Sequence, residues 1–259
     1  MRRRLLILAL LVLAALPAAA LAQRVIRQEG NLRISFDGGL SPHELPRNRL
    51  APVSLHVEGA ISTTDGSRTP ALRRLAVSLN GNGRLSTVGL PVCTSAELQS
   101  TTTESALAHC RGALVGRGHF KADVSFSNLP PIPAGGQMLA FNGKYSGKRA
   151  LLLQLYIATP VQATFILPLT ISQSPDGHFG ALLSASIPTL AGGLGSVSAI
   201  DLTIFRTYNY RGQQRSYLSA SCPAPEGFPG AVFNLARGDF HFADGRTIKT
   251  VLGSDCKVR

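Results

Sequence analysis

The sequence predicts an all-β protein: an antiparallel β-sandwich, built as one large or two small immunoglobulin-like sandwiches, with a short disulfide-tied helical insertion. Three observations point there. Apolar and polar residues alternate along most of the chain, Asp-Gly and Asn-Gly dipeptides recur between the alternating runs, and four cysteines stand where they can close two local loops. A period of two puts one face of each run against a covering layer. Asp-Gly and Asn-Gly supply the positive φ angles of tight hairpins. Strands and turns about ten residues apart fit an antiparallel sandwich or barrel rather than a βαβ sheet.

The first of the 259 residues stand apart from that pattern. Arg2, Arg3 and Arg4 precede an apolar run over 5–16, and Ala20-Leu21-Ala22 forms a small-residue cleavage site before Gln23. This is the pattern of a signal peptide, 1–22. No later run approaches the ~18 apolar residues needed to cross a bilayer. The mature chain is therefore expected to be secreted or extracytoplasmic, in the periplasm or at the cell surface. The three arginines account for 3 of the net charge of +12, which leaves +9 on residues 23–259. A hydrophobic content of 44 % excludes a disordered chain.

The strands follow in order. Leu32, Ile34 and Phe36 alternate with Arg33 and Ser35, and Val53, Leu55 and Val57 with Ser54, His56 and Glu58. Leu75, Val77 and Leu79 keep the same rule. Phe120, Ala122, Val124 and Phe126 take one face opposite His119, Lys121, Asp123 and Ser125. Further strands are expected at 151–157, 161–171, 179–187, 200–210, 218–222 and 240–242. Pro168 marks its strand as an edge, since proline cannot donate to a ladder. Turns are expected at Asp65-Gly66, Asn80-Gly81, Asn142-Gly143, Asp176-Gly177 and Asp244-Gly245.

One stretch breaks the alternation. Thr94-x-x-Glu97 is a capping box, followed by Ala96, Leu98, Ala106, Leu107 and Ala108. A short helical insertion is expected near 94–109, broken at Thr101, Thr102 and Thr103, which are poor helix formers. Pro130, Pro131 and Pro133 with Gly135-Gly136 form the clearest composition shift. They divide the chain into an N-terminal half, 23–128, and a C-terminal half, 137–259, or form a long loop in one continuous domain, 23–259. The segment 189–196, with Gly192, Gly193 and Gly195, is a second loose connection.

The cysteines are Cys93, Cys110, Cys222 and Cys256. Their spacing lacks the close pairs of a zinc site, and exported chains meet an oxidising compartment. Cys93–Cys110 and Cys222–Cys256 are the expected disulfides, each closing a loop within its own half. Loop closure would contribute about 3 and about 4 kcal/mol.

Reactive constellations are missing from the sequence. It contains no H-E-x-x-H, G-x-S-x-G, C-x-x-C or P-loop, and its 14 carboxylates are scattered. His119-Phe120, His178-Phe179 and His241-Phe242 read as histidines on the solvent side of strands beside inward phenylalanines. No catalytic residue, metal or cofactor is expected. The candidate binding face is Arg206, Tyr208 and Tyr210, followed by Arg215 and Tyr217, where aromatic planes stand beside cations. That mix suits a glycan, an anionic envelope polymer or a surface protein. The absence of Trp lowers the glycan reading. Dispersed cations make nucleic acid an unexpected partner.

Ile61-Ser62-Thr63-Thr64-Asp65-Gly66, residues 75–84, Gly89-Leu90-Pro91-Val92-Cys93, Cys110 and Ala113-Leu114-Val115-Gly116-Arg117-Gly118 carry a resemblance. Together they resemble a group of uncharacterised secreted bacterial proteins, mainly actinobacterial. The resemblance implies export and disulfides and transfers no functional residue. The expected function is non-catalytic, a structural or binding role outside the cytoplasm. The alternatives are a glycan- or envelope-polymer-binding adhesion module, and a hydrolase whose site is assembled from distant residues.

Overall fold

The computed structural model describes residues 24–99, 101–124, 132–159, 162–187 and 195–259. The expected signal peptide 1–22, Phe126, Pro130, Pro131, Gly192 and Gly193 lie outside the described residues. In chain order the first strands are β1 (Val25–Glu29), β2 (Leu32–Ser41), β3 (Glu44–Leu45), β4 (Ala51–Pro52), β5 (Ser54–Thr63), β6 (Leu72–Asn80) and β7 (Gly83–Leu85). After β8 (Cys93–Thr94) come a helical turn over Ser95–Leu98, a helix over Thr103–Cys110 and a 3-10 turn over Arg111–Ala113. Four long strands follow: β9 (Leu114–Val124), β10 (Ile132–Tyr145), β11 (Lys148–Ile157) and β12 (Ala163–Gln173). The chain continues through β13 (Phe179–Ser186), β14 (Gly195–Ile204), β15 (Thr207–Tyr210), β16 (Gln213–Ser216) and β17 (Leu218–Ala220). It ends with the long hairpin β18 (Gly230–Phe242) and β19 (Thr247–Val258).

The protein is β-rich, as its alternation requires, but two separate facing sheets do not form. One large sheet runs in the order β1-β2-β5-β14-β9-β10-β11-β12-β13-β6-β18-β19-β3, with β8 beside β10. Its pairs are antiparallel except β8 with β10 and β3 with β19. The sheet curls into a half-barrel that supplies its own opposing layer, and this replaces the expected sandwich. Strands from before and after residues 125–131 interleave in it. The curl needs close backbone approaches. A Cβ on Gly118 would lie 1.9 Å from the Asp201 carbonyl oxygen, and one on Gly136 1.9 Å from that of Tyr156. Only glycine admits such contacts.

Curling brings the sheet's two ends together. Phe36 of β2 meets Phe240 of β18 edge to face, ring centroids 6.3 Å apart at 76°. Leu32, Ile34, Phe242 and Ile248 are buried around them. Inward positions throughout are apolar, while Asp37, Glu58, Asp201 and His119 stand on the other side of their strands, opposite one another across β2, β5, β14 and β9. This is the reverse of a lipid-embedded barrel, whose outside is apolar. A small sheet of β4, β17 and β7 closes one end, the base, and the Cys222–Cys256 disulfide ties it to β19.

The insertion forms with its expected cap and break. The Thr94 hydroxyl accepts from the Glu97 amide, and the Glu97 carboxylate accepts from the Thr94 amide at 2.7 Å. Helix geometry stops after Leu98 and resumes at Thr103. Leu98, Ala106, Cys110 and Ala113 pack on Leu139, Phe141, Ala150 and Leu152, which cover the outer face of β10 and β11. Gln154 is fully buried and its amide donates to the carbonyls of Thr101 and Thr102 at 3.0 and 3.3 Å, tying the break to β11. The Cys93–Cys110 disulfide staples the insertion to the sheet.

Two local expectations are corrected. The shift at 130–136 is read as a boundary or a long loop and Asn142-Gly143 as a turn, whereas residues 132–145 form one strand, the longest among the described residues. Asn142 is buried and its amide donates to the Pro91 carbonyl at 2.8 Å, while the turn falls at Ser146-Gly147 with φ of 49° and 75°. Pro168 lies on β12, which has neighbours on both sides. Pairing with β13 covers only Thr170–Gln173, so the proline sits where that ladder is not made. Phe240→Ala, which removes the seam's ring, should cost about 3–5 kcal/mol, read as a lower urea midpoint at unchanged slope.

Candidate ligand-binding cavity

The inward faces do not fill the half-barrel. A cavity of about 200 Å³ runs through it. Its walls come from cross-strand pairs that the register sets side by side: Val57 opposite Leu202, Leu183 opposite Val77, Leu153 opposite Leu167. Leu202, Leu183 and Leu153 are buried and Val57, Val77 and Leu167 half-buried, and all six line the cavity. A cavity of 150 Å³ lined by Leu, Ile and Phe is dry and takes benzene. This one is larger and lined in the same way. Its few polar lining residues include Arg73, Ser196 and Ser198, at the strand ends that form the mouth.

Polar groups clasp the mouth across the seam. Arg246, in the turn between β18 and β19, donates to the Glu29 carbonyl at 3.1 Å and to the Asn31 side-chain oxygen at 2.8 Å. The Asn31 amide donates in turn to Asp65 Oδ2 at 2.9 Å. Asp65 also accepts from the Ser67 hydroxyl at 2.6 Å and the Ser67 amide at 2.9 Å. These Ser67 bonds first, then Asn31, hold the Asp65 carboxyl down at about 2. Asp244 is held below the ordinary carboxylate range by its bonds to Arg246. Three turns, each with an Asp or Asn, thus meet where the sheet's ends meet.

At the base lies Tyr217. Its side chain is 1 % exposed, lines the cavity, and its hydroxyl has no hydrogen-bond partner. Burial pushes the phenol up, against a weaker opposing effect of the Arg149 charge. The backbone is pinned: the Tyr217 amide donates to the Arg206 carbonyl at 2.8 Å, and its carbonyl accepts from Ser86 at 2.9 Å.

The aromatic and basic residues singled out in the sequence separate. Tyr208 and Tyr210 share one side of β15, against the loop before Cys93. The Tyr208 hydroxyl donates to the Val88 carbonyl at 2.7 Å. The Tyr210 ring lies against Gly89, where a Cβ would come within 2.3 Å of it, and the guanidinium carbons of Arg211 and Arg215 stand 5.3 and 5.6 Å from its centroid. Arg206 is half-buried. Tyr217 points into the interior rather than joining them.

Other clusters lie on the outside. His119 on β9 and His241 on β18 are six strands apart in the sheet order, and His178 precedes β13. Phe120, Phe179 and Phe242 beside them are buried. His56 Nε2 stands 3.0 Å from Asp201 and 3.8 Å from Glu58, and Arg24 pairs with Glu58 at 3.2 Å. A broad groove of about 860 Å³ crosses the outer faces of β12, β13, β6 and β18, floored by Pro168, Thr170, Ser184 and Ala76. It is wider than the interior cavity but open, and its lining mixes small side chains with Arg74, Gln99, Tyr145, Phe165, Asp239 and His241.

Alternation in the sequence identified the cavity's walls but carried no sign that they leave space. Tyr217 carried no such signal: it directly precedes Leu218, which period two puts on the opposite face, and its nearness to Tyr208 and Tyr210 grouped it with them. Asp65 offers a check on the clasp. Its carboxyl is lowered in the folded state, so the stabilisation is present above the ordinary carboxylate range and is lost as pH falls from about 4 through about 2. The Ser67 amide resonance should titrate with a midpoint near 2, and a midpoint near 4 would show the clasp unformed. Neither a family model, nor a curated protein, nor a solved structure matches the chain.

Proposed function

We propose that this is an exported, non-catalytic binding protein that takes up a small apolar molecule inside its half-barrel. The observation that carries the reading is the cavity of about 200 Å³ with aliphatic walls. Scaled from benzene in 150 Å³, it has room for roughly eight non-hydrogen atoms. Aliphatic walls with few polar groups are the general character of small-molecule sites.

Three further features support it. Among the described residues no carboxylate, histidine or cysteine lines the cavity, which favours binding over acid–base or nucleophilic chemistry. Both disulfides suit an oxidising, extracytoplasmic compartment. Among the described residues no helix is long and apolar enough to cross a membrane. Export through the signal peptide, with cleavage after Ala22, and kinship with secreted actinobacterial proteins belong to the same reading. A glycan or envelope polymer at Tyr208 and Tyr210 gains less support, because the Tyr210 ring is engaged by Gly89, Arg211 and Arg215.

Titration with ethylbenzene, followed by calorimetry and by the rise in melting temperature, tests the reading. The wild type should bind and be stabilised. Val77→Phe places a ring in the cavity and should abolish the response, with the circular dichroism and both disulfides unchanged. A wild type that takes up no apolar probe, or a Val77→Phe variant that binds as well as wild type, would sink it.

A further inference from the structure

Outside the half-barrel, on the face that the cavity does not use, three donor atoms converge. His56 Nε2, Glu58 Oε1 and Asp201 Oδ1 lie close together: the imidazole nitrogen is 3.0 Å from Asp201 and 3.8 Å from Glu58, and all three fall within 4.8 Å of one another. A metal ion with ligands at about 2.1 Å holds its donor atoms about 3.0–3.5 Å apart. Small side-chain movements therefore suffice to close these three on one ion.

Pleating sets the arrangement. His56 and Glu58 are two residues apart on β5 and share its outer face, and Asp201 of β14 lies directly opposite Glu58. Both strands are paired on each side, β5 with β2 and β14, and β14 with β5 and β9, which gives the donors a rigid base. Asp37 of β2 lies opposite Glu58 in turn. Three carboxylates thus stand in one row across neighbouring strands, where like charges repel. Arg24 answers part of this, at 3.6 Å from Asp37 and 3.2 Å from Glu58 Oε2. With His56 neutral, three negative charges face one guanidinium, an excess that a dication matches. Arg117 and Lys121 on β9 stand opposite Thr203 and Ala199, diagonal to Asp201, and neither pairs with it among the described residues.

A surface pair between a histidine and one carboxylate needs none of this. Here one ring nitrogen faces two carboxylates, and Glu58 divides its oxygens, one to Arg24 and one toward the ring. The side chains of His56, Glu58 and Asp201 are 44, 40 and 57 % exposed, so an ion reaches the donors and keeps water in its remaining positions. An imidazole beside two carboxylates suits zinc and neighbouring first-row ions, whereas calcium and magnesium take oxygen ligands. The sequence carried no sign of the grouping, because His56 and Asp201 are 145 residues apart.

We propose that His56, Glu58 and Asp201 form a surface site for a divalent transition-metal ion of the zinc type. The ion takes the place of the proton between His56 Nε2 and Asp201, and that proton passes to Nδ1 or to solvent. The site faces away from the cavity, so it stands or falls apart from ligand uptake there.

Zinc chloride titrated into the untagged, disulfide-bonded protein tests this, followed by calorimetry and by the histidine ring resonances. One equivalent should bind, shifting the His56 ring and leaving those of His178 and His241 in place. His56→Ala and Asp201→Asn should each weaken binding at least tenfold, while His178→Ala leaves it unchanged. Because the three side chains are exposed, the melting temperature of the free variants should hardly move. The ring resonances are read on the wild type and do not depend on a variant folding. A tenfold excess of calcium should not displace the zinc. The proposal is overturned if millimolar zinc does not bind, if His56→Ala binds as well as wild type, or if zinc shifts the exposed histidines alike. Calcium competing on equal terms would reduce the site to a patch of negative charge and overturns it too.

Discussion

Phe36 and Phe240 meet edge to face across two strands that share no ladder, and the interior exists because they do. An open sheet of this length would expose its apolar face. Here the inward side chains of β2 and β5 find a partner layer in β18 and β19, strands from the opposite end of the same sheet. Above that contact Arg246 reaches the Glu29 carbonyl and Asn31, so the seam is apolar inside and hydrogen-bonded at its rim. Below it, β4, β17 and β7 cover the base. Glycines at 118 and 136 permit the bend that brings the ends within reach.

The same geometry explains why space remains. A curled sheet sets its inner diameter by strand number and tilt, and side chains of Leu, Val and Ile size then fill it or do not. On the scale of about 24 cal/mol per Å³, a cavity of 200 Å³ costs about 5 kcal/mol relative to a packed interior. Two disulfides contributing about 3 and about 4 kcal/mol are of the size needed to offset that. They stand outside the cavity, one on the helical insertion and one on the base. Stability is thus supplied from the periphery, and the interior is left able to bind.

Several features were legible along the chain, each for a local reason. The inward sets Leu32, Ile34, Phe36 and Phe120, Ala122 follow from period two alone. The Thr94–Glu97 cap and the break at Thr101–Thr102 follow from residues within one turn of each other. The strand over 132–145 was not legible, because Pro133, Gly135 and Gly136 resemble loop composition. The two glycines let β9 and β11 approach β10 closely, which depends on neighbours remote in sequence. Pro168 misled in the same way: its tolerance depends on where pairing with β13 stops.

By itself the sequence determined that the protein is β-rich, which face of each strand turns inward, where the short helix is capped and broken, and which cysteines pair. All of these rest on interactions between near neighbours or on loop closure within a short span. Tertiary structure alone decided that the two covering layers are one curled sheet, that its centre is hollow, and that Tyr217 is buried beside that hollow with its hydroxyl unpartnered. Periodicity reports the side on which a residue lies. How much volume the opposing side chains leave, and which hydroxyl goes without a partner, depends on strands that meet only after the sheet has curled.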